Sequence, residues 1–255
     1  MTPDAIERLA AELSAARTVV RFADLSSFAT PLSVADAYAV QTATIALSGG
    51  PVRGWKVTAL ATADQQKFGS DRPVSGPLLD TYVSAAPARL RKAAYLTPLL
   101  ECEIAYVLAR DLPAREAPYS RAEVEAAIGA VMPVFEIVDA RVEPAAPELA
   151  KLADCIGNGA FVTGPSVSGW RAHDLAGITI ALSKDGKPLL TAPASKILGD
   201  PVLAVIALAN AQPIAGALKA GQVITTGSCN VPAPLETGRY VADFGPLGTI
   251  TADVA

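Results

Sequence analysis

The feature that most constrains the fold is an apolar run with two acidic residues inside it, LLECEIAYVLAR, at Leu99–Arg110. Val, Ile, Leu and Tyr dominate this run, and neither glycine nor proline interrupts it, so it predicts a β-strand. Side chains alternate between the two faces of a strand, which places Glu101 and Glu103 together on one face and Cys102 on the other. Two carboxylates this close are costly to bury unless a positive charge lies between them.

Two interpretations of this pair are open from the residues alone. A Glu-x-Glu pair on a strand usually belongs to a face that contacts solvent. Here, however, Leu99, Tyr106 and Leu108 flank the pair, and no further charge occurs before Arg110. An otherwise apolar face with two acids is more typical of the floor of a pocket, and we therefore expect a bound metal ion.

A third acid lies in a second apolar run, VMPVFEIV, at Val131–Val138. Carboxylate oxygens are the ligands that hard divalent cations such as Mg²⁺ and Mn²⁺ prefer. Three carboxylates on two neighbouring strands would supply half of an octahedral shell and leave positions open for water and substrate. The residues therefore predict a metal site of Glu101, Glu103 and Glu136.

Composition and charge exclude several other classes of protein. The 255-residue chain is 51% hydrophobic and 18% charged, which is enough apolar material for a sizeable core. Its net charge of −4 argues against binding nucleic acid through phosphates. The apolar run Val202–Ala211 is too short to cross a bilayer, and the acidic N-terminal segment does not resemble a signal peptide, so we expect no membrane association and a cytoplasmic location.

Cysteine and histidine are scarce. Cys102, Cys155 and Cys229 are odd in number and widely spaced, which favours neither a disulfide framework nor a zinc site. The single histidine, His173, lies in a polar stretch and is expected to be structural. A metal in this protein must therefore be held mainly by oxygen.

The order of secondary structure predicts an α+β fold. Helices over Pro3–Arg17 and Ser33–Leu47 form a helical N-terminal region, residues 1–50, and strands dominate a catalytic domain, residues 51–255. We find neither strict alternation of strands and helices nor a nucleotide-binding glycine motif, so a large mixed or antiparallel sheet is expected. The loop Gly69–Gly76 is a candidate lid. Further strands are predicted at Val52–Thr58, Leu78–Val83, Ala88–Lys92, Ile156–Thr163, Ile178–Ser183, Lys187–Leu190, Gln222–Thr226, Tyr240–Phe244 and Thr249–Val254, and further helices at Ala61–Phe68, Ser120–Ile128, Glu148–Asp154 and Asp200–Asn210.

Several short motifs occur in a fixed order along most of the chain. They are Gly54–Val57, Gln65–Gly69, Glu101–Glu103, Phe135–Arg141, Leu198–Asn210 and Gly221–Ser228. Together they resemble the 2-keto-4-pentenoate hydratase and 4-oxalocrotonate decarboxylase group of the fumarylacetoacetate hydrolase superfamily. The resemblance implies a β-rich roll or sandwich, Mg²⁺ or Mn²⁺ on the three glutamates, and a homo-oligomer that can associate with a related decarboxylase or hydratase.

The resemblance also implies roles for individual residues. Lys56 would lie near the charge that develops on the 2-oxygen of a small 2-oxo acid, whereas an ordinary lysine at a strand end points to solvent. Gln66 and Ser228 would bind the substrate carboxylate, although turn and helix-surface roles are equally compatible. Asp139 and Arg141 are expected to pair with each other on one strand face.

Four functions follow from the resemblance, with hydration of a 2-hydroxydienoate from aromatic-compound breakdown in first place. The alternatives are decarboxylation of a 2-oxo-enedioate, hydrolysis of a C–C bond in an acylpyruvate, and a metal-binding partner subunit without activity. Hydrolysis ranks third because no histidine precedes His173. Two departures weaken the hydratase interpretation: Val74 occupies the place of an acid after a loop proline, and Ala153–Asn158 reads ADCIGN where the group has polar residues.

Overall fold

The computed structural model describes residues 1–28, 31–211 and 217–255 and has a mixed α+β fold. The helices are α1 Pro3–Val19, α2 Val34–Ser48, α3 Thr62–Lys67, α4 Arg121–Ala127, α5 Glu148–Ala153 and α6 Val202–Ala211. The strands are β1 Val52–Thr58, β2 Val74–Leu79, β3 Val83–Ala85, β4 Ala88–Leu90, β5 Leu99–Leu108, β6 Leu112–Pro113, β7 Ile128–Val138, β8 Asn158–Thr163, β9 Thr179–Lys184, β10 Lys187–Pro193, β11 Ala217–Leu218, β12 Val223–Thr225, β13 Ala233–Pro234, β14 Gly238–Asp243 and β15 Thr249–Val254. The predicted α+β class is confirmed.

The two N-terminal helices begin where the sequence predicts them. Thr2 caps α1, and Ser33 forms a reciprocal capping box with Asp36 at the start of α2. Leu9 of α1 and Val40 of α2 belong to an apolar cluster that also includes buried residues of β2 and α5. These helices therefore pack on one face of the main sheet. The division into regions at residue 50 stays a prediction.

The main sheet is mixed and has the strand order β2-β1-β12-β5-β7-β8-β3, with β13 also pairing with β5. Its centre is the long antiparallel pair of β5 and β7, in which Glu101 lies directly opposite Glu136. The parallel neighbours β1 and β12 approach closely at Gly54, where a Cβ atom would lie 1.9 Å from the carbonyl oxygen of Val223. Glycine at this position thus lets β12 fit between β1 and β5.

The second sheet has the order β10-β9-β14-β15-β4 and shares one apolar core with the main sheet. Cys102, Ile104 and Tyr106 of β5 are fully buried in this core together with Ile180 of β9 and Ile250 of β15. The expected sandwich is therefore confirmed, and the glutamates of β5 face the opposite side. Among the described residues, no helix is long and apolar enough to cross a membrane.

The alternation of side chains along β5 shows that two of the residues expected to flank the glutamates lie on the other face of the strand. Tyr106 and Leu108 lie on the Cys102 face, in the core between the sheets, so they do not flank the glutamates. The rings of Tyr106 and Trp170 pack edge to face, with their centroids 5.7 Å apart. The glutamate face continues instead with Ala105, which packs with Val134 in a separate apolar cluster.

The predicted lid and one predicted strand also need correction. Residues 74–76 belong to β2, which is buried along its whole length and pairs with β1, so only residues 69–73 form a loop. The strand expected over Leu78–Val83 is interrupted by a 3₁₀ turn at Asp80–Tyr82. Val74 belongs to the apolar cluster of Leu9 and Val40, and its side chain has no exposed area.

Candidate metal centre and active site

Three carboxylates converge on the face of the main sheet opposite the shared core. Glu101 and Glu103 lie two residues apart on β5, and Glu136 projects from the adjacent position on β7. One carboxylate oxygen from each of them lies within 4.8 Å of the other two. Glu103 and Glu136 are only 1% and 2% exposed, and Glu101 is half-buried. A solvated strand face is therefore wrong for this pair, because the cluster is enclosed.

Burial and mutual repulsion make the ionised cluster costly. Burial, followed by repulsion from Glu136, raises the pKa of Glu101 to about 7. The same two causes, with Glu101 as a further neighbour, raise the pKa of Glu103 well above its ordinary value. Carboxylates that resist ionisation this strongly would be stabilised by additional positive charge among them.

The donor set fits a hard divalent cation. Three carboxylates face the buried ammonium of Lys56, which pairs with Glu136, so among the described residues two of the three carboxylates have no ion-pair partner. A divalent ion would neutralise these two charges, and its preferred ligands are the carboxylate oxygens that converge here. The residues present are therefore suited to Mg²⁺ or Mn²⁺.

Lys56 is buried beside the cluster and does not point to solvent. Its ammonium donates to Oε1 of Glu136 and to the carbonyl oxygen of Ile156 at 3.0 Å. Burial by itself lowers the pKa of Lys56, but attraction to Glu136 and Glu101 outweighs this effect, and the net pKa is raised. The side chain thus stays charged in an enclosed site.

A strained turn presents the Ile156 carbonyl to Lys56. Cys155, Ile156 and Gly157 follow one another with positive φ angles of 55°, 55° and 64°. Only glycine adopts this conformation without steric cost, so the two other residues store strain that the surroundings must hold. In the sequence this segment is visible only as a departure from the family motif, and no residue pattern indicates the carbonyl contact.

A buried ion pair holds the ends of this turn in place. Arg141 lies beyond the end of β7 and pairs with Asp154 through Nε at 2.8 Å. Its contact with Asp139 is a hydrogen bond to the backbone carbonyl of that residue, so the expected pairing of the two side chains is wrong. Asp139 instead accepts hydrogen bonds from the backbone amides of Leu96 and Thr97. The Asp139 side chain thus ties the end of β7 to the segment that enters β5.

The loop after β12 closes another side of the cluster. The backbone amide of Gly227 donates to Oε2 of Glu103 at 3.2 Å. The adjacent Ser228 is half-buried, and its hydroxyl donates to the Asn230 carbonyl at 2.9 Å. Gln66, in contrast, is exposed on α3, whereas its neighbour Gln65 is buried. The structure brings Ser228 next to the site but not Gln66, and the substrate-binding role of each stays a prediction.

One cation near the cluster was not found from the sequence. Lys196 ends a 3₁₀ turn at Ala194–Lys196, and its ammonium donates to the Asn230 carbonyl at 2.6 Å. It also opposes the upward shift in the pKa of Glu101 that burial and Glu136 cause. No local pattern around Lys196 indicates this position, because the partner loop lies more than thirty residues further along the chain.

A mixed sandwich whose central strands carry three converging carboxylates is typical of an enzyme that uses a divalent metal ion. The family model described as the fumarylacetoacetate (FAA) hydrolase C-terminal domain matches residues 82–255. The chain belongs to this fumarylacetoacetate hydrolase family, as the motif order indicates.

Two relatives that match this chain over nearly its full length are named as hydratases. A 2-hydroxyhexa-2,4-dienoate hydratase from Comamonas testosteroni is 33% identical over 252 residues, which cover 95% of this chain and 93% of the relative. A 2-keto-4-pentenoate hydratase from Paraburkholderia xenovorans is 30% identical over 245 residues, with 93% and 90% coverage. A solved structure of 4-oxalocrotonate decarboxylase from Pseudomonas putida G7, complexed with magnesium and adipate, superposes with a TM-score of 0.89 at 24% identity, covering 100% of this chain and 99% of that one. The fold is therefore shared along the whole chain.

Proposed function

We propose that this protein is a divalent-metal-dependent hydratase that adds water to a 2-hydroxydienoate of the 2-keto-4-pentenoate type, giving a 4-hydroxy-2-oxo acid in the breakdown of aromatic compounds. The observation that carries this proposal is the enclosed cluster of Glu101, Glu103 and Glu136 with the Lys56 ammonium bound to one of its members. Relatives of nearly full length that are named as hydratases support the same reaction.

In this proposal the three glutamates hold Mg²⁺ or Mn²⁺. The bound ion supplies Lewis-acid stabilisation of negative charge on the oxygens of a 2-oxo acid. A magnesium complex and a manganese complex are both known among the fold neighbours, so the choice between the two ions belongs to the proposal.

Lys56 provides a fixed hydrogen-bond donor for the same charge. Its ammonium uses one N–H for Glu136 and one for the Ile156 carbonyl, which leaves one N–H for the 2-oxygen of the substrate. Because Lys56 is held on both sides, it needs no reorganisation when the dienol releases its 2-hydroxyl proton to solvent, takes up a proton at its far carbon and becomes an unsaturated ketone. Water then adds to the conjugated carbon.

A second candidate reaction is decarboxylation of a 2-oxo-enedioate of the 4-oxalocrotonate type. Val74 supports it, because the motif resemblance assigns this position to an acid in the hydratases, whereas the fully buried valine here cannot transfer a proton. Loss of CO₂ requires no activated water, and the same stabilised enolate accepts the remaining electrons. Hydrolysis of an acylpyruvate ranks behind both, since His173 lies in a separate 3₁₀ turn region that contributes nothing to the described cluster.

The two reactions are separated by substrate. We expect the Mg²⁺-loaded protein to consume 2-hydroxypenta-2,4-dienoate, measured by loss of its ultraviolet absorbance and by appearance of 4-hydroxy-2-oxopentanoate. The same protein with 4-oxalocrotonate should release little CO₂. Rapid CO₂ release without hydration would establish the decarboxylase instead, and metal binding without turnover of either acid would indicate the non-catalytic partner subunit.

We further propose a homo-oligomer and, as a separate possibility to be tested, association with a related decarboxylase or hydratase. Light scattering of the purified chain measures the first, and co-elution with the related enzyme measures the second. A monomer at micromolar concentration would contradict the oligomer.

A further inference from the structure

Lys196 is anchored to the strand that carries two of the glutamates. Its ammonium donates to the carbonyl of Asn230, a residue that is only 2% exposed. The Asn230 side chain accepts from the amide of Cys102 at 2.6 Å and donates to the carbonyl of Leu100 at 3.2 Å. These two backbone groups flank Glu101 on β5. Lys196 is therefore held beside Glu101 through a buried asparagine whose side chain makes two hydrogen bonds to β5.

The segment around Lys196 also packs against the cluster. A Cβ atom at Gly227 would lie 3.6 Å from Cδ1 of Ile197, so Ile197 covers the loop whose amide binds Glu103. The Lys196 charge lowers the pKa of Cys229 as well as that of Glu101, although burial dominates for both groups. The segment of Lys196 and Ile197 thus lies against the loop after β12, through the bond to Asn230 and the packing of Ile197.

Lys196 has unused binding capacity. Within the described ranges, the lysines that form ion pairs are Lys56, Lys67, Lys92, Lys151 and Lys219. Lys196 makes one bond to a neutral carbonyl and therefore keeps N–H donors for an incoming anion. Its side chain is exposed, in contrast to the buried Lys56.

The two lysines differ in the kind of charge that each can accommodate. The permanent charge of a substrate carboxylate is costly to desolvate fully, so a cation that contacts solvent is best suited to bind it. Charge that develops only during the reaction is best stabilised by a buried, fixed donor. Lys196 has the first environment, beside the half-buried Glu101, and Lys56 has the second.

We infer that Lys196 binds the C1 carboxylate of the 2-oxo acid and determines the selectivity of the site for acids over neutral carbonyl compounds. This inference rests on the proposed function, because it assumes that a 2-oxo acid occupies the site. It assigns the two lysines separate tasks: Lys196 recognises the ground-state anion, and Lys56 stabilises the charge that forms later.

The test uses oxalate, a non-reacting mimic of the enolate of a 2-oxo acid, with the Mg²⁺-loaded protein in a calorimeter. Lys196→Met should weaken oxalate binding by about tenfold, the effect of losing one charge-assisted hydrogen bond at a partly exposed site. Binding of Mg²⁺ without oxalate should be unchanged or tighter, because a positive charge near the carboxylates is removed. Lys196→Arg should restore most of the oxalate affinity, and Lys187→Met, an exposed lysine of β10, is the matched control.

Two results would overturn the inference. Oxalate affinity equal in Lys196→Met and Lys187→Met would remove Lys196 from the site, and a parallel loss of Mg²⁺ and oxalate binding would assign it a structural role. Absence of Mg²⁺-dependent oxalate binding in the wild-type protein would instead contradict the proposed function.

Steady-state kinetics test whether Lys196 binds the C1 carboxylate or a carboxylate at the far end of the substrate. In Lys196→Met the KM should rise by about tenfold for 2-hydroxypenta-2,4-dienoate, with kcat changed by about twofold at most. A dicarboxylic dienoate should show the same increase. An increase confined to the dicarboxylic substrate would contradict the C1 assignment.

Discussion

Replacement of Lys56 by methionine tests the central feature of the site. Methionine keeps the length and apolar stem of lysine but removes the ammonium that contacts Glu136 and the Ile156 carbonyl. Loss of one preorganised donor to a developing oxyanion in a buried site costs about 3 kcal/mol, which corresponds to about 100-fold in kcat. Because the donor acts mainly on charge that forms during the reaction, KM should change by about threefold at most.

The same change has an opposite effect on the metal-free protein and on metal binding. Removal of Lys56 leaves Glu136 buried without its cation, which should destabilise the metal-free fold by about 3 kcal/mol. Mg²⁺ should bind at least as tightly as in the wild type, because the competing ammonium is absent. Urea unfolding with and without Mg²⁺ measures the first effect, and calorimetry the second.

Lys219→Met provides the matched control for Lys56→Met. Lys219 forms an exposed ion pair with Asp111 at 3.1 Å, so its loss should change neither kcat nor stability measurably. A kcat of Lys56→Met within about threefold of the wild type would refute the assignment of Lys56 to the developing charge. A large rise in KM at unchanged kcat would refute it equally, because it would place Lys56 in ground-state binding.

Three further perturbations test the rest of the site. Glu103→Ala should abolish Mg²⁺ binding in a calorimeter and the cation-dependent activity with it; full activity that still requires the cation would contradict the metal site. Burial, followed by repulsion from Glu136, raises the folded-state pKa of Glu101 to about 7, so the metal-free protein should lose stability as the pH rises from about 4.5 to about 7. Mg²⁺ should therefore raise Tm more at about pH 8 than at about pH 6. A pH-independent rise in Tm would argue against the raised pKa of Glu101. Arg141→Met should lower the free energy of unfolding by about 3 kcal/mol because it removes the ion-pair partner of the buried Asp154 carboxylate. A loss below about 1 kcal/mol in urea titration would show that this pair does not hold the turn.

Local patterns in the sequence were sufficient for much of the fold. The bounds of β1 are as predicted, and the capping boxes at Ser33 and Ser120 mark the true starts of α2 and α4. The Asp185–Gly186 turn joins β9 and β10, which pair as a hairpin. Each of these features depends on residues that are neighbours in the chain, so propensity, capping and turn chemistry are enough to predict it.

Two predictions from the sequence are wrong because contacts with distant parts of the chain decide the structure there. The glycine-rich stretch at 69–76 reads as one loop, yet residues 74–76 belong to β2 because β1 supplies its hydrogen-bonding partner. The position of Arg141 two residues from Asp139 suggests a pair on one strand face. The strand ends at Val138, however, and the Arg141 guanidinium reaches Asp154 instead.

That Glu101 and Glu103 share a face of one strand follows from their spacing alone, because the side-chain period of a strand is two whatever the rest of the fold. Which cations contact these carboxylates depends on the packing of distant segments. Lys56 contacts Glu136 although β12 and β5 lie between β1 and β7 in the sheet. Lys196 is held near Glu101 because it bonds to Asn230, whose side chain bonds to the backbone on both sides of that glutamate. Strand order and loop packing of this kind result from contacts between residues far apart in the chain, and no local pattern records them.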